Sequence, residues 1–179
     1  MRTFVAAEIK NEEVLNEINK VQSELKINAK PVSLKNIHFT LLFLGEISEE
    51  MSKKVQNALN TIEFSSFEVI FSGIGAFPKP KFPHVVWIGT NESGGDQLKN
   101  LARNVEEKLS PLGFKSDKPF KSHVTIFRIK NRIADITDEL TRINSSSLGT
   151  QKIVEIKLKK SELTPNGPIY SDLQVVKAK

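Results

Sequence analysis

Two tetrapeptides, His38-Phe39-Thr40-Leu41 and His123-Val124-Thr125-Ile126, decide how this sequence folds. Each is a His-x-Thr-x unit inside a short apolar run, and the chain has only one further histidine. In a β-strand, residues i and i+2 point to the same face. The pattern therefore predicts two strands, each presenting one imidazole and one hydroxyl on one side. Phe39, Leu41, Val124 and Ile126 would face the core on the other side.

The segments around the two tetrapeptides predict the same order of elements twice. Strand, helix, connector, motif strand, helix and strand follow one another in about residues 1–75 and again in 84–162, with the motifs 85 residues apart (123 − 38). We interpret this as an internal duplication within one intertwined domain, residues 1–179. Duplicated halves commonly pack about a pseudo-twofold axis, which would bring the two motif strands together across a central cleft.

Hydrophobic periodicity and turn residues place the individual elements. The stretch 73–84 contains three prolines and is predicted to be a loop, because proline does not fit a central strand. Its glycines match neither phosphate-binding loop pattern. Strands are predicted at 2–9, 36–44, 67–73, 84–89, 120–127, 152–162 and 168–176, and helices at 11–26, 48–62, 94–109 and 133–143.

Composition excludes several classes of protein. Hydrophobic residues make up 39% of the 179 residues and charged residues 26%, and no run reaches the roughly 18 apolar residues of a membrane span. The chain has no cysteine, which excludes disulfides, thiolate metal sites and cysteine nucleophiles and fits a cytoplasmic protein. A net charge of +5 is compatible with a polyanionic partner such as RNA, and equally with a lysine-rich solvated surface.

Paired imidazoles and hydroxyls suit the opening of a cyclic phosphodiester. That reaction needs a base to activate water and an acid to protonate the leaving oxygen, and histidine titrates near neutral pH. Threonine hydroxyls can donate hydrogen bonds to the non-bridging phosphate oxygens. Two histidines without a carboxylate at ligand spacing make a poor zinc site, so neither a metal nor a cofactor is expected.

Other candidate residues have weaker signals. His84 lacks a threonine two positions later, and we expect it to be structural or on the surface. Lys79, Lys81 and Phe82 in the proline-rich stretch could contact RNA, although an exposed, lysine-solubilised turn explains them better. Tyr170, the only tyrosine, is expected either in the core or in the wall of the cleft.

At these residues the sequence resembles the 2H phosphoesterase superfamily, and within it the RNA 2′,3′-cyclic phosphodiesterases, historically called 2′-5′ RNA ligases. The resemblance implies a bilobal α+β fold in which two antiparallel sheets line a central cleft, with helices packed outside. It covers nearly the whole chain and includes Arg2-Thr-Phe-Val-Ala-Ala, His38-Phe-Thr-Leu-Leu-Phe-Leu-Gly-Glu46, Val86-Trp-Ile-Gly, Lys118-Pro-Phe-Lys-Ser-His-Val-Thr-Ile-Phe-Arg128 and Leu163-x-x-x-Gly167-Pro-x-Tyr170.

The same resemblance implies an activity and a role for each motif residue. The expected reaction is hydrolysis of an RNA 2′,3′-cyclic phosphate end to a 2′-phosphate, with RNA as partner. Apart from the resemblance, the composition predicts no membrane association, and a monomer is the default expectation. His38 would be the proton donor to the leaving 3′ oxygen and His123 the proton acceptor from water, with Thr40 and Thr125 on the phosphate. Two alternatives are another substrate, including 2′-5′ phosphodiesters or their ligation, and a non-catalytic module that binds RNA ends.

Two further residues stand five positions after the motif histidines. In the family an arginine at the position of Arg128 contacts phosphate, and an aromatic at the position of Phe43 stacks on the terminal base. Strict strand alternation places both residues on the face away from the histidines. A bulge or the end of the strand must therefore turn them into the cleft. Ser122 replaces the proline that many members carry before the second histidine, without an expected catalytic consequence.

Overall fold

Two antiparallel sheets form the framework of the chain, which a computed structural model describes over residues 1–179. In chain order the elements are β1 (Arg2–Glu8), α1 (Glu12–Glu24), β2 (Lys30–Pro31), β3 (His38–Glu46), α2 (Glu49–Leu59), β4 (Phe67–Lys79), β5 (Phe82–Thr90), α3 (Glu92–Leu109), β6 (His123–Arg128), α4 (Thr137–Thr141), β7 (Thr150–Ile153), β8 (Glu155–Thr164) and β9 (Gly167–Lys177), with short 3-10 helices at Leu34–Asn36 and Ser110–Leu112. No helix combines the length and the apolar character needed to cross a lipid bilayer.

The two sheets have corresponding strand orders. One sheet has the order β3-β1-β8-β9 and the other β2-β6-β5-β4-β7, so that they match strand for strand apart from the added β2. The chain crosses between them: β4 follows the first motif strand but pairs with β5, and β8 pairs with β1. The predicted α+β class with two antiparallel sheets is confirmed, and each sheet contains strands from both halves.

The two motif strands also have the same register against their neighbours. Across β1 and β3, His38 lies opposite Glu8 and Thr40 lies opposite Ala6. Across β5 and β6, His123 lies opposite Gly89 and Thr125 lies opposite Trp87. Each motif histidine is therefore the first residue of its own strand, and it pairs with a residue at or near the last position of the neighbouring strand. This agreement is the arrangement that a duplicated unit would produce.

The helices pack on the sheet faces that point away from the histidines. Asn11 and Ser48 cap α1 and α2 by accepting hydrogen bonds from backbone N–H groups of the first turn, as N-cap residues do. Phe39 of one sheet stacks on Phe71 of the other, with ring centroids 5.5 Å apart, so the two sheets share one core. The buried helical positions include Val14, Ile18, Val21, Val55, Leu59, Leu98, Leu101, Ala102, Val105, Leu109 and Leu140.

The sequence predicted that the proline-rich stretch 73–84 is a loop, and this prediction is wrong. The stretch forms the outer part of the β4–β5 hairpin. Pro78 pairs with Pro83 at the end of this hairpin. Toward the hairpin turn, the last contact of β5 on the β6 side is the hydrogen bond that the N–H of Ile129 donates to the carbonyl of His84, and β7 pairs only with the first four residues of β4. A missing N–H costs little where a strand has a neighbour on one side only.

Two further boundaries differ from the predicted ones. The helix predicted at 133–143 is reduced to α4, because Ile136 donates its N–H to Pro80 of the hairpin and Asp135 accepts from Thr137 in a local turn. The strand predicted at 152–162 is interrupted at Val154, where the chain passes from β7 in one sheet to β8 in the other. The first difference combines a distant contact with a local turn, and the second arises from strand pairing distant in sequence.

Candidate active site

Each motif histidine is held by the same local hydrogen bond. Nδ1 of His38 lies 2.7 Å from the carbonyl oxygen of Asn36, and Nδ1 of His123 lies 2.7 Å from that of Lys121. A carbonyl oxygen only accepts, so Nδ1 carries the proton in both rings and donates it. In a neutral imidazole this leaves the lone pair on Nε2, which therefore becomes the reactive nitrogen of each ring.

The threonines lie on the same faces as the imidazoles. Oγ1 of Thr40 is 3.0 Å from Nε2 of His38, so its hydroxyl donates to the neutral ring and accepts from the protonated one. Thr125 occupies the corresponding place on β6 and is half-buried beside His123. Each strand thus presents one orientated nitrogen and one hydroxyl, which is the arrangement that the strand alternation predicted.

Two corresponding bulges turn further side chains toward the histidines. Leu41 in β3 and Ile126 in β6 are the extra residues, and each stands three positions after its histidine. Neither has a partner of its own, because the residues on either side of it pair with two consecutive residues of the neighbouring strand. A bulge reverses the alternation of the residues that follow it. Phe43, 51% exposed, and Arg128, also exposed, therefore return to the histidine faces. The guanidinium carbon of Arg2 lies over the ring of Phe43, 4.9 Å from its centroid.

Aromatic side chains that sequence reasoning did not assign to the site surround both imidazoles. The ring of His38 lies 5.0 Å from that of Phe4, and Tyr170 contacts it edge-on at 5.5 Å. Phe77 contacts His123 edge-on at 5.1 Å and leans on Trp87. Tyr170 is thus half-buried against His38, and packing among such rings restricts the motion of both imidazoles.

Gly75 creates the space for the indole of Trp87. A Cβ atom at Gly75 would lie 2.3 Å from the indole ring, far inside van der Waals contact. Gly75 faces Trp87 across the hairpin, in the stretch that contains no phosphate-loop motif. The glycine signal in the sequence thus reflects close approach of an aromatic ring to the backbone rather than anion binding.

Burial and nearby cations lower the pKa of both histidines. Burial is the main cause for His38 and brings its pKa to about 4; Arg128 and Lys159 act in the same direction, against the Asn36 carbonyl. The pKa of His123 is also lowered, chiefly by burial, with contributions from Arg128 and Lys121. Because Arg128 lowers the pKa of both rings, it lies close enough to act on both halves of the site. Without a bound anion, the neutral form of each ring is favoured at neutral pH.

A group of four charged residues, Glu8, Lys157, Lys159 and Asp172, lies beside His38. We call it the charge tetrad. Lys157 Nζ lies 2.9 Å from Glu8 and 2.7 Å from Asp172, and Lys159 contacts both acids as well. The two lysine side chains are 10% and 9% exposed. The tetrad is electrically balanced, with two lysines and two acids.

The lysines hold both acids of the tetrad in their charged form. Burial would raise the pKa of Glu8 and of Asp172, but the hydrogen bonds from the two lysines outweigh it and keep each pKa below its ordinary value. Sequence analysis missed this cluster. Two features indicated it: two lysines, Lys157 and Lys159, stand on the same face of a strand, and Glu8 ends an apolar strand.

A cavity of about 1150 Å³ opens from Thr40 and His123. β3 and the β4–β5 hairpin form two of its walls, while α3 and the connector before β6 form the others. Phe43 and the exposed His84 also line it. The third histidine is therefore on the surface, as expected, within the wall of the cleft. No three side chains of the kinds that ligate metals converge anywhere in the structure.

Comparison with known proteins decides the family. The family model described as "LigT like Phosphoesterase" matches residues 9–87 and then, a second time, residues 88–170. This chain belongs to the LigT-like phosphoesterase family. The resemblance noted from the two His-x-Thr-x motifs is confirmed, and the chain is an enzyme of the phosphoesterase class.

Curated members of the LigT-like family match the chain over almost its full length. The RNA 2′,3′-cyclic phosphodiesterase of Archaeoglobus fulgidus is 41% identical over 177 residues, covering 98% of this chain and 99% of that protein. The protein of the same name from Methanocaldococcus jannaschii is 35% identical over 173 residues, covering 95% and 96%.

Solved structures of similar proteins have the same fold. A crystal structure of a Thermus thermophilus protein superposes with a TM-score of 0.80 at 28% identity, covering 99% of this chain and 97% of that chain. Escherichia coli LigT complexed with 3′-AMP superposes with a TM-score of 0.80 at 23% identity, over 99% and 97% of the two chains. The LigT-like fold therefore extends over the whole of this chain.

Proposed function

We propose that this LigT-like enzyme hydrolyses the 2′,3′-cyclic phosphate end of RNA to a 2′-phosphomonoester, using two histidines and no metal. The observation that carries the proposal is the pair of imidazoles anchored through Nδ1, each paired with a threonine on a corresponding strand. Curated relatives that match the chain over almost its full length have the name of this activity. Both halves of the site come from one chain, which supports a monomeric catalyst.

The proposed reaction consists of one in-line displacement with two proton transfers. Neutral His123 takes a proton from water at Nε2 as the water oxygen attacks phosphorus. The bond from phosphorus to the 3′ oxygen breaks, and protonated His38 donates its Nε2 proton to that oxygen. The 2′-phosphate remains on the ribose. A proton must then pass from His123 to His38, through solvent, before the next turnover.

The neighbouring side chains would stabilise the phosphate and orient the RNA end. The hydroxyls of Thr40 and Thr125 donate to non-bridging oxygens, on which negative charge increases in the transition state. Arg128 adds a positive charge that both histidines already experience. Phe43, exposed in the cavity, offers a ring on which the terminal base can stack.

Product analysis in the presence of EDTA tests this function. RNA oligonucleotides ending in a 2′,3′-cyclic phosphate are incubated with the protein, and the ends are identified by NMR or by sensitivity to phosphatase and periodate. A 2′-phosphate formed equally with and without EDTA is expected. A 3′-phosphate product, or activity abolished by EDTA and restored by a divalent ion, would contradict the proposed mechanism. A joined 2′-5′ product would instead identify a ligase.

The pH dependence of the two kinetic constants should differ. In the free enzyme the pKa of each histidine is below 6.5, so the maximum of kcat/KM should lie below pH 6.5. The bound phosphodiester anion stabilises both imidazolium ions and raises their pKa values, so the maximum of kcat should lie at higher pH. Both profiles describe the coupled pair rather than single residues. A kcat/KM maximum above pH 7.5 would contradict this electrostatic account.

A further inference from the structure

The cleft is closed on one side and open on the corresponding other side. β2, from the connector before β3, pairs with β6 through Lys30 opposite Arg128 and Pro31 opposite Phe127. The connector before β6 forms no such strand, and β3 remains the edge of its sheet. The cavity lies along this edge and is lined by residues 40–43 of β3. The duplicated halves thus differ at the outer edge of the motif strand. β2 covers the edge of β6, whereas no strand covers the corresponding edge of β3, which borders the groove.

Unpaired cations line this groove opposite β3. Lys99 and Arg103 lie one turn apart on α3, and Lys118 and Lys121 lie on the connector. All four are exposed, and none takes part in an ion pair. Glu106 and Asp117 also line the groove, which leaves a net charge of +2 (four cations less two acids).

The connector that forms the outer wall of the groove is held in place at both ends. Glu106 accepts a hydrogen bond from the backbone N–H of Ser116, which ties the connector to α3. At the other end the hydroxyls of Ser122 and Thr90 are 2.7 Å apart. The outer wall of the groove is therefore anchored to α3 and to β5, the strand that pairs with the His123 strand β6.

The groove extends beyond the motif residues. It runs from Thr40 and His123 along β3 to α3 and the connector before β6, and its volume is about 1150 Å³. Phe43, Phe77 and Phe120 add aromatic surface along it. Cations that follow a backbone, combined with aromatic rings for bases, are the features of a site for single-stranded nucleic acid.

We propose that this groove binds the RNA strand upstream of the cyclic phosphate, with Lys99 and Arg103 contacting the phosphates of the preceding nucleotides. The proposal rests on the proposed function and adds a preference for length. The enzyme should act better on an oligonucleotide than on a 2′,3′-cyclic mononucleotide. The strand would lie beside the free edge of β3, in the place that corresponds to β2 in the other half.

The test compares the wild type with a double variant, Lys99→Gln with Arg103→Gln. Two readouts are used: kcat/KM for a cyclic mononucleotide and for an oligonucleotide with the same end, and the Kd of an oligonucleotide that already ends in a 2′-phosphate. In the variant the kcat/KM for the oligonucleotide, relative to that for the mononucleotide, should fall about 10-fold. The slope of log Kd against log salt should decrease by about 1.4, because each phosphate that is no longer neutralised lowers it by about 0.7.

A matched control removes two cations from the corresponding helix region of the first half. Lys20→Gln with Lys26→Gln changes the net charge equally, at exposed positions outside the groove. In this control, the kcat/KM for the oligonucleotide relative to the mononucleotide should equal that of the wild type. The slope of log Kd against log salt should also be unchanged. Equal loss in both double variants, or no length preference in the wild type, would overturn the proposal. Absence of turnover with an intact salt-slope difference would contradict the proposed function and leave the groove assignment standing.

Discussion

Alanine in place of His38 or His123 is expected to lower kcat for a 2′,3′-cyclic phosphate RNA by at least about 100-fold, the usual lower bound for a positioned acid or base. The Nδ1 hydrogen bond of each imidazole orients its Nε2 for proton transfer, and alanine supplies no group that can accept or donate that proton. The rings contact the substrate mainly through those protons, so the Kd of an oligonucleotide ending in a 2′-phosphate should change much less. Single-turnover kinetics and fluorescence anisotropy give the two quantities.

The third histidine offers a matched control for these variants. His84 is exposed in the cleft wall and lies on β5 rather than on a motif strand. His84→Ala should have at least about ten times the rate of either motif variant, because a lost acid or base costs at least about 100-fold and His84 is neither. Rates near the wild type in His38→Ala or His123→Ala would contradict the paired mechanism. So would a loss confined to binding.

The charge tetrad should give the largest effect on stability. Lys159→Met leaves Glu8, whose side chain is 19% exposed, and the more exposed Asp172 with one lysine between them, which should lower the free energy of unfolding by roughly 2 kcal/mol at pH 7. Both acids have a pKa below its ordinary value, so their contribution is present above that value and is lost as pH falls. The difference from the wild type should therefore shrink below about pH 4, near the ordinary carboxyl pKa. Urea unfolding at several pH values measures it.

A lysine on the same strand provides the comparison. Lys160 pairs with Glu162 at 3.0 Å on the surface, and Lys160→Met should cost less than about 1 kcal/mol. Combining Lys159→Met with Asp172→Asn restores the charge balance of the tetrad and should recover part of the lost stability. A Lys159→Met variant that unfolds like Lys160→Met would show that the tetrad does not stabilise the fold through its charges.

The local pattern of the two His-x-Thr-x strands was sufficient to predict the face on which each residue lies. Strand alternation depends only on backbone geometry, so Phe39 and Val124 could be placed in the core, and His38 and His123 opposite them, without tertiary information. The order of elements likewise predicted an internal duplication, and the family resemblance implied the α+β fold. Alternation alone would have misplaced Phe43 and Arg128, which reach the cleft only because Leu41 and Ile126 form bulges.

Features that depend on distant partners could not be predicted from the sequence. The proline-rich stretch reads as a loop until it is known to be the outer end of a hairpin, where β4 and β5 pair only with each other. The break at Val154 reflects a change of sheet. The charge tetrad joins β1, β8 and β9, which adjoin only in the folded sheet.

The sequence by itself determined that each motif strand presents one imidazole and one hydroxyl on the same face, since this follows from local strand geometry. Only the tertiary structure decided their surroundings: the aromatic burial that lowers both pKa values, and the groove left where the second half lacks a counterpart of β2. The physical reason is that alternation is a property of one strand. Burial, electrostatics and an open sheet edge depend on which segments pack together.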